Sequence, residues 1–157
     1  MSEQALALDS TDRRILAELQ RDCALTNQEL AGRVHISPAT CLRRVRWLIG
    51  QGVIERQVAL LSSERIGAGL TAIVEVTLDR QDADSLAAFE TRVGSAQAVQ
   101  QCYRVSSGPD FVLVVLVADM DAYHALVHEQ FTASGNVRNV RAFFSIKRSK
   151  FEPAVRL

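Results

Sequence analysis

Arg33, Arg43, Arg44 and Arg46 crowd one short stretch, and no acid occurs between Glu29 and Glu55. Guanidinium groups offer paired N–H donors, which suit phosphate oxygens and the acceptor edges of guanine. An ordinary solvated helix face mixes charge signs to gain favourable i,i+4 pairs, and this stretch does not. Two other groups have chemical potential. His124 and His128 stand four apart, one helical turn, which is the spacing of half a zinc site. Spacing places no third ligand beside them, and a solvated helix face accounts for them better. Cys102, followed by Tyr103 and Arg104, is a thiol within a strand-like run, with no histidine at a readable spacing to serve as its base. A metal- or cysteine-dependent enzyme is therefore the weaker alternative, and neither a metal nor a cofactor is expected.

The arginines need elements to hold them. Ser10 to Arg21 reads as a helix capped by Asp9 or Ser10, with Ile15, Leu16 and Leu19 on one face. A second helix starts at Thr26, where Thr26-x-x-Glu29 is a capping box. It carries Leu30, Ala31 and Val34 inward. After His35-Ile36, Ser37 caps a third helix with Pro38 at its first position. That helix runs to about Gln51 and stops at Gly52. Two short helices joined by a tight turn, the second rich in arginine, form a helix-turn-helix pattern. At 100° per residue, Cys41, Leu42, Val45, Leu48 and Ile49 fall on the core side of the third helix. Ala39, Thr40, Arg43, Arg46 and Trp47 fall on the other, with Arg44 on the flank. Small residues near the N-terminus followed by arginines are what entry into a DNA groove requires. The expected DNA-binding set is Ser37, Ala39, Thr40, Arg43, Arg44 and Arg46, on double-stranded operator DNA. Residues 52–60 then read as an extended linker strand.

Bulk properties are consistent with this reading but do not demand it. The 157 residues carry no net charge, 48% are apolar and 23% charged. Charge is sorted by segment, however. From Gly32 to Leu60 five arginines face one acid, from Thr71 to Gln130 three arginines face nine, and from Phe131 to Leu157 six basic residues face one. The three cysteines are widely spaced without a CxxC, so a disulfide framework is not expected and a reducing cytoplasm fits. No apolar run is long enough to span a bilayer, and no basic segment followed by an apolar core marks an export signal.

Beyond Ser62-Ser63 and the Gly67-x-Gly69 hinge, strands and helices alternate. Strands are expected at 71–78, 99–105, 111–117 and 137–147, and helices at 83–93 and 120–131. The order βαββαβ is that of a ferredoxin-like domain. Phe111 to Val117 is apolar on both strand faces, although a four-stranded sheet with helices on one side should leave the other face polar. A continuous apolar run implies burial on both sides. The simplest cover is the same face of a second copy, giving an isologous homodimer.

The chain resembles the Lrp/AsnC (feast/famine) family of bacterial transcriptional regulators. The resemblance rests on Leu8-Asp9-x-x-Asp12-x-x-Ile15-Leu16-x-x-Leu19-Gln20, Leu30-Ala31-x-Arg33-Val34, Ser37-Pro38-x-x-Cys41-Leu42-x-Arg44-Val45, Leu48 and Gly52-Val53-Ile54. It continues through Cys102-Tyr103, Asp110-Phe111 and Asp119-Met120-x-Ala122-Tyr123, and spans nearly the whole chain. It implies an α+β protein: a winged-helix-like helix-turn-helix over residues 1–60, joined by a linker strand to a ferredoxin-like effector-binding and oligomerisation domain over 61–157. It also implies a dimer of dimers or larger ring, and an effector, usually an amino acid, bound between subunits near the turn joining the middle strands. The effector residues so implied are Tyr103, Ser107, Gly108, Asp110, Met120 and Ala142. Asp110 either holds an ammonium group or fixes its turn, and Met120 either lines the pocket or packs in the core.

The sequence departs from the family in places. His35 replaces a turn glycine, in a position that calls for positive φ. Trp47, Ile49 and Gly50 replace charged residues, and Trp47 either covers DNA backbone or packs on the N-terminal arm, the linker or a partner subunit. The turn Ser107-Gly108-Pro109-Asp110 keeps one acid of a typical pair, and Ala142 replaces a threonine, so the pocket is expected to be more apolar. An effector-binding module whose first domain makes only protein contacts is the alternative from another class.

Overall fold

Asp9 nucleates the first helix by accepting hydrogen bonds from the backbone N–H of Thr11 and Asp12, both at 2.8 Å. Asp12 reciprocates with its carboxylate on the Asp9 N–H at 3.2 Å, closing a capping box. In the computed structural model, which describes residues 6–63, 65–67, 69–132 and 135–157, three helices follow: α1 (Ser10–Arg21), α2 (Asn27–Arg33) and α3 (Pro38–Gly50). Thr26 and Glu29 form the expected box on α2, and Ser37 caps α3 ahead of Pro38.

The C-terminal ends of α2 and α3 use one device. The Ile36 N–H bonds Ala31 O and the His35 N–H bonds Gly32 O, which is a Schellman motif with His35 in the left-handed region at φ 56°. At the end of α3 the Val53 N–H bonds Leu48 O and the Gly52 N–H bonds Ile49 O, with Gly52 at φ 71°. The helices close over Ile15, Leu16, Leu30, Ala31, Val34, Cys41 and Leu48. Leu42 and Ile49 were expected in this core and are instead exposed. Two neighbouring helices cover only a narrow stripe of α3, so the residues one step to either side face solvent.

The remaining elements are β1 (Leu70–Leu78), α4 (Ala83–Ser95), β2 (Val99–Arg104), β3 (Phe111–Val117), α5 (Met120–Val127), a π-helical turn (His128–Thr132) and β4 (Val137–Phe144). The sheet is antiparallel throughout, in the order β2-β3-β1-β4. That is the ferredoxin-like βαββαβ arrangement expected, and the whole chain is α+β. Ala72, Val74, Val76 and Leu78 of β1 and alternate residues of β3 meet Phe89 and Val93 of α4 and Tyr123 and Leu126 of α5. Phe89 stacks on Phe111 with centroids 4.6 Å apart and lies 6.2 Å from Phe131. Burying each such ring contributes on the order of 1.5–3 kcal/mol. Gly69 has no alternative: at φ 64°, a Cβ there would sit 1.7 Å from the Val117 carbonyl oxygen.

Several boundaries differ from the sequence reading. The last helix gives way to the π-helical turn after Val127, and β4 stops at Phe144. Residues 55–62 form no strand, since an extended segment becomes one only when a neighbour pairs its backbone. The chain divides into two compact units, and the second spans Leu61–Lys150. Phe151–Leu157, assigned above to the second domain, belongs with the helical unit. There the Gln20 side chain accepts from the Val155 N–H at 2.6 Å and donates to Val155 O at 3.0 Å. The amide thereby completes the tail backbone as a neighbouring strand would.

Candidate nucleic-acid interface and effector region

The N-cap Ser37 and, on α3, Ala39, Arg43, Arg46 and Trp47 are exposed, with Thr40 half-buried. Ser37 and Thr40 are engaged with each other: the Ser37 hydroxyl accepts from the Thr40 N–H at 3.3 Å and donates to Thr40 Oγ1 at 2.9 Å. Asn27 donates to the Pro38 carbonyl at 2.9 Å, which fixes the start of α3 against α2. Arg43 and Arg46 are exposed, and among the described residues neither pairs with an acid. Arg33, by contrast, lies 3.3 Å from Glu18.

Arg44 differs from its neighbours. Its Nη1 donates to Asp9 Oδ2 and to Asp12 Oδ1, each at 2.7 Å. Asp12 is buried, and Arg44 is half-buried with its Nε enclosed and unpartnered. The backbone bond from Asp12 and then the Arg44 bond hold the Asp9 carboxyl below its usual range, while the hydrogen bonds that Arg44 donates to Asp12 and Asp9 push its guanidinium up. Arg44 thus anchors α3 to the start of α1. Sequence reasoning placed it among the DNA contacts and did not find this anchoring role, because its acidic partners lie more than thirty residues away.

The effector residues occupy separate places within one chain. Tyr103 is exposed on the sheet face away from the helices, in register with Val112, and its hydroxyl donates to Gln101 at 2.9 Å. Ala142 pairs with Val74 and packs on the opposite, helix-covered face. Met120 is exposed at the first position of α5. Ser107 and Gly108 are exposed in the turn, Gly108 at φ 85°. Asp110 secures that turn: its Oδ2 accepts from the Leu78 N–H at 2.7 Å and from Gln81 Nε2 at 3.3 Å. A single chain therefore does not gather these six residues.

Burial pushes the Cys41 and Cys102 thiols up, and Glu90 adds to the effect at Cys102, so the reactive thiolate is disfavoured at both. No group of three or more metal-ligating side chains occurs among the described residues. No helix is long and apolar enough to cross a membrane.

A family model described as the Lrp/AsnC ligand binding domain matches residues 71–155, and one described as winged helix-turn-helix DNA-binding matches residues 8–55. The chain is 39% identical over 143 residues to the leucine-responsive regulatory protein of Escherichia coli K12, covering 91% of this chain and 87% of that one. A transcriptional regulator from Neisseria meningitidis, solved as an L-Met complex, superposes with a TM-score of 0.85 at 32% identity, over 96% of this chain and 97% of the other. An AsnC family regulator from Agrobacterium tumefaciens gives 0.86 at 31%, over 95% and 97%. With a helix-turn-helix followed by a ligand-binding α/β unit, this chain belongs to the Lrp/AsnC family of DNA-binding transcriptional regulators.

Proposed function

We propose that α3 enters the major groove of operator DNA, with Arg43 reading base edges and Arg46 gripping phosphate, while Ala39 permits close approach at the N-terminal end. The observation that carries this reading is the acid-free outer face of α3, where two arginines stand exposed without an ionic partner. Ser37 and Thr40 contribute through backbone-proximal hydroxyls, and Arg44 serves by fixing the angle of the helix. The test is duplex binding across a salt series. A protein that neutralises phosphates loses affinity steeply with salt, and each lost phosphate contact flattens the slope by about one unit. A salt-independent affinity would favour a module that makes only protein contacts.

The protein acts as a homodimer or larger assembly in this proposal, and an amino acid bound between subunits regulates it. Ile73 and Phe143 face each other on the sheet surface opposite the helices and are 43% and 46% exposed. Val112, Val114 and Leu116 line the same surface and are only half-buried. A second copy placed on that surface covers the apolar area and brings together sites that one chain leaves apart. The Neisseria regulator solved with L-Met supports an amino acid as the ligand class. Both bonds made by the Asp110 carboxylate fall on Oδ2, which leaves Oδ1 to meet an ammonium group. Thermal-shift screening of the amino acids tests this, since a ligand that prefers the folded state raises the melting temperature.

A further inference from the structure

Arg92 sits in the last turn of α4, and long helical side chains run back toward the N-terminus over the preceding turns. Its guanidinium carbon accordingly lies 5.2 Å from the centroid of the Phe89 ring. The group borders a cavity of about 320 Å³, which Arg80, Ser85, Ala88 and Asn136 also line. Arg92 Nε is buried without a hydrogen-bond partner, and among the described residues no acid pairs with this side chain. Desolvation pulls the guanidinium below the usual arginine value, as expected of a cation shielded from water without a counter-charge.

Arg80 stands at the same cavity on a fixed backbone. The Asn136 side chain accepts from the Arg80 N–H at 2.9 Å and donates to Arg80 O at 3.3 Å. Its guanidinium meets Asp82 at 3.4 Å in a solvent-exposed pair, and Asp82 is already committed to capping α4 through Ser85. Two cations therefore adjoin one cavity. Asp82 is the acid nearest to them by bonding and is not part of the lining.

We propose that this cavity binds a small organic carboxylate lacking an ammonium group, clamped by Arg92 and Arg80, with its aliphatic part against Phe89 and Ala88. A guanidinium held over an aromatic ring presents a planar fork that matches a planar carboxylate. A zwitterion needs an acid for its ammonium, and the lining supplies none. The site is distinct from the Asp110 turn and does not rest on the effector reading.

Calorimetry of the full chain at constant ionic strength tests the assignment, with 2-oxobutyrate, 2-oxoisovalerate and butyrate as probes, and leucine and inorganic phosphate in parallel. At least one of the carboxylates binds saturably, and Arg92→Gln weakens it tenfold or more. Arg92→Lys, which keeps charge but not the planar fork, and Arg80→Gln weaken it to a smaller degree. Any heat from leucine is unchanged by these substitutions. Circular dichroism verifies folding, and should Arg92→Gln unfold, Arg92→Lys and Arg80→Gln carry the test. Absence of saturable binding by all three carboxylates overturns the proposal. So does unaltered affinity in the variants, or phosphate binding as tightly as the carboxylates.

Discussion

Arg44 and Asp12 meet at 2.7 Å although 32 residues separate them, and the same Nη1 reaches Asp9 at 2.7 Å. The start of α1 and the middle of α3 are thereby joined through a carboxylate that is only 4% exposed. This contact separates the arginines of α3 by role. Arg44→Ala leaves the Asp12 charge without a counter-ion, and a broken buried pair costs about 3 kcal/mol, discounted somewhat because Arg44 is partly solvated. The helical unit should melt roughly 10 °C lower. Arg43→Ala should leave the melting temperature within about 2 °C, given how little surface substitutions usually cost, while lowering operator affinity by about 1–3 kcal/mol. If Arg43→Ala destabilises the fold as much as Arg44→Ala, the division of roles is wrong.

His35 and Gly52 occupy the same position in two matching helix ends, at φ 56° and φ 71°. A residue with a Cβ pays for the left-handed region, and glycine does not. His35→Gly should therefore raise the stability of the helical unit by about 0.5–1 kcal/mol, part of the gain being offset by the freer unfolded chain. Urea denaturation followed through Trp47 fluorescence reads this directly. A loss of stability would mean that the imidazole makes a contribution the backbone argument omits.

Three cap carboxylates set the response to acid. Asp9, Glu29 and Asp82 are each held below their usual values, chiefly by the backbone bond from Asp12, the Thr26 hydroxyl bond and the backbone bond from Ser85 respectively. A carboxyl depressed in the folded state stabilises fully above its unfolded pKa of about 4 and loses that contribution as pH falls through the folded value. Asn keeps the cap acceptor but not the charge. The stability gap between the wild type and Asp9→Asn or Asp82→Asn should thus be largest near neutrality and close below about pH 4. A gap that persists into acid would show that geometry, not charge, makes these caps strong.

The features legible in the sequence are those written locally. Thr26-x-x-Glu29, Ser37-Pro38 and Gly52 fix the helix ends because their hydrogen bonds span at most five residues. Phe111–Val117 was legible as a strand with two apolar faces for a similar reason. The Arg44 pair with Asp9 and Asp12, and the Gln20 bonds to Val155 across 135 residues, carry no such local mark. Asp110 illustrates a third case. Its residue type left both a ligand contact and a turn-fixing role open, and only the fold names the partner of its Oδ2, the Leu78 N–H at the end of β1.

Asp110→Asn preserves an acceptor for the Leu78 N–H while removing the negative charge. Effector affinity should fall tenfold or more, which is about 1.4 kcal/mol, as expected for a charge-assisted hydrogen bond. The fold should persist. Because this turn keeps one acid of the family's typical pair and Ala142 stands for a threonine, the amino acid bound should be one with an apolar or aromatic side chain. Calorimetry that finds tight binding of asparagine, or an Asp110→Asn variant with undiminished affinity, would remove Asp110 from the site.

Val114 and Val115 are adjacent on β3 yet predict opposite outcomes. Val115 is fully buried against the helices, whereas Val114 is half-buried on the other face, in register with Ile73 and Gln101. An aspartate at 115 enters the core of each chain without a partner, at a cost of several kcal/mol, so Val115→Asp should not fold. An aspartate at 114 faces solvent in an isolated chain and becomes buried only when a second copy covers the sheet. Val114→Asp should therefore yield a folded protein, native by circular dichroism, that light scattering shows to be monomeric at micromolar concentration. A two-fold arrangement doubles the penalty, because the substituted face meets itself across the interface. Loss of the dimer weakens operator binding as well, since two linked recognition helices gain affinity that one alone lacks. If the unsubstituted protein is already a monomer at that concentration, or Val114→Asp assembles normally, the open sheet face is not where the subunits join.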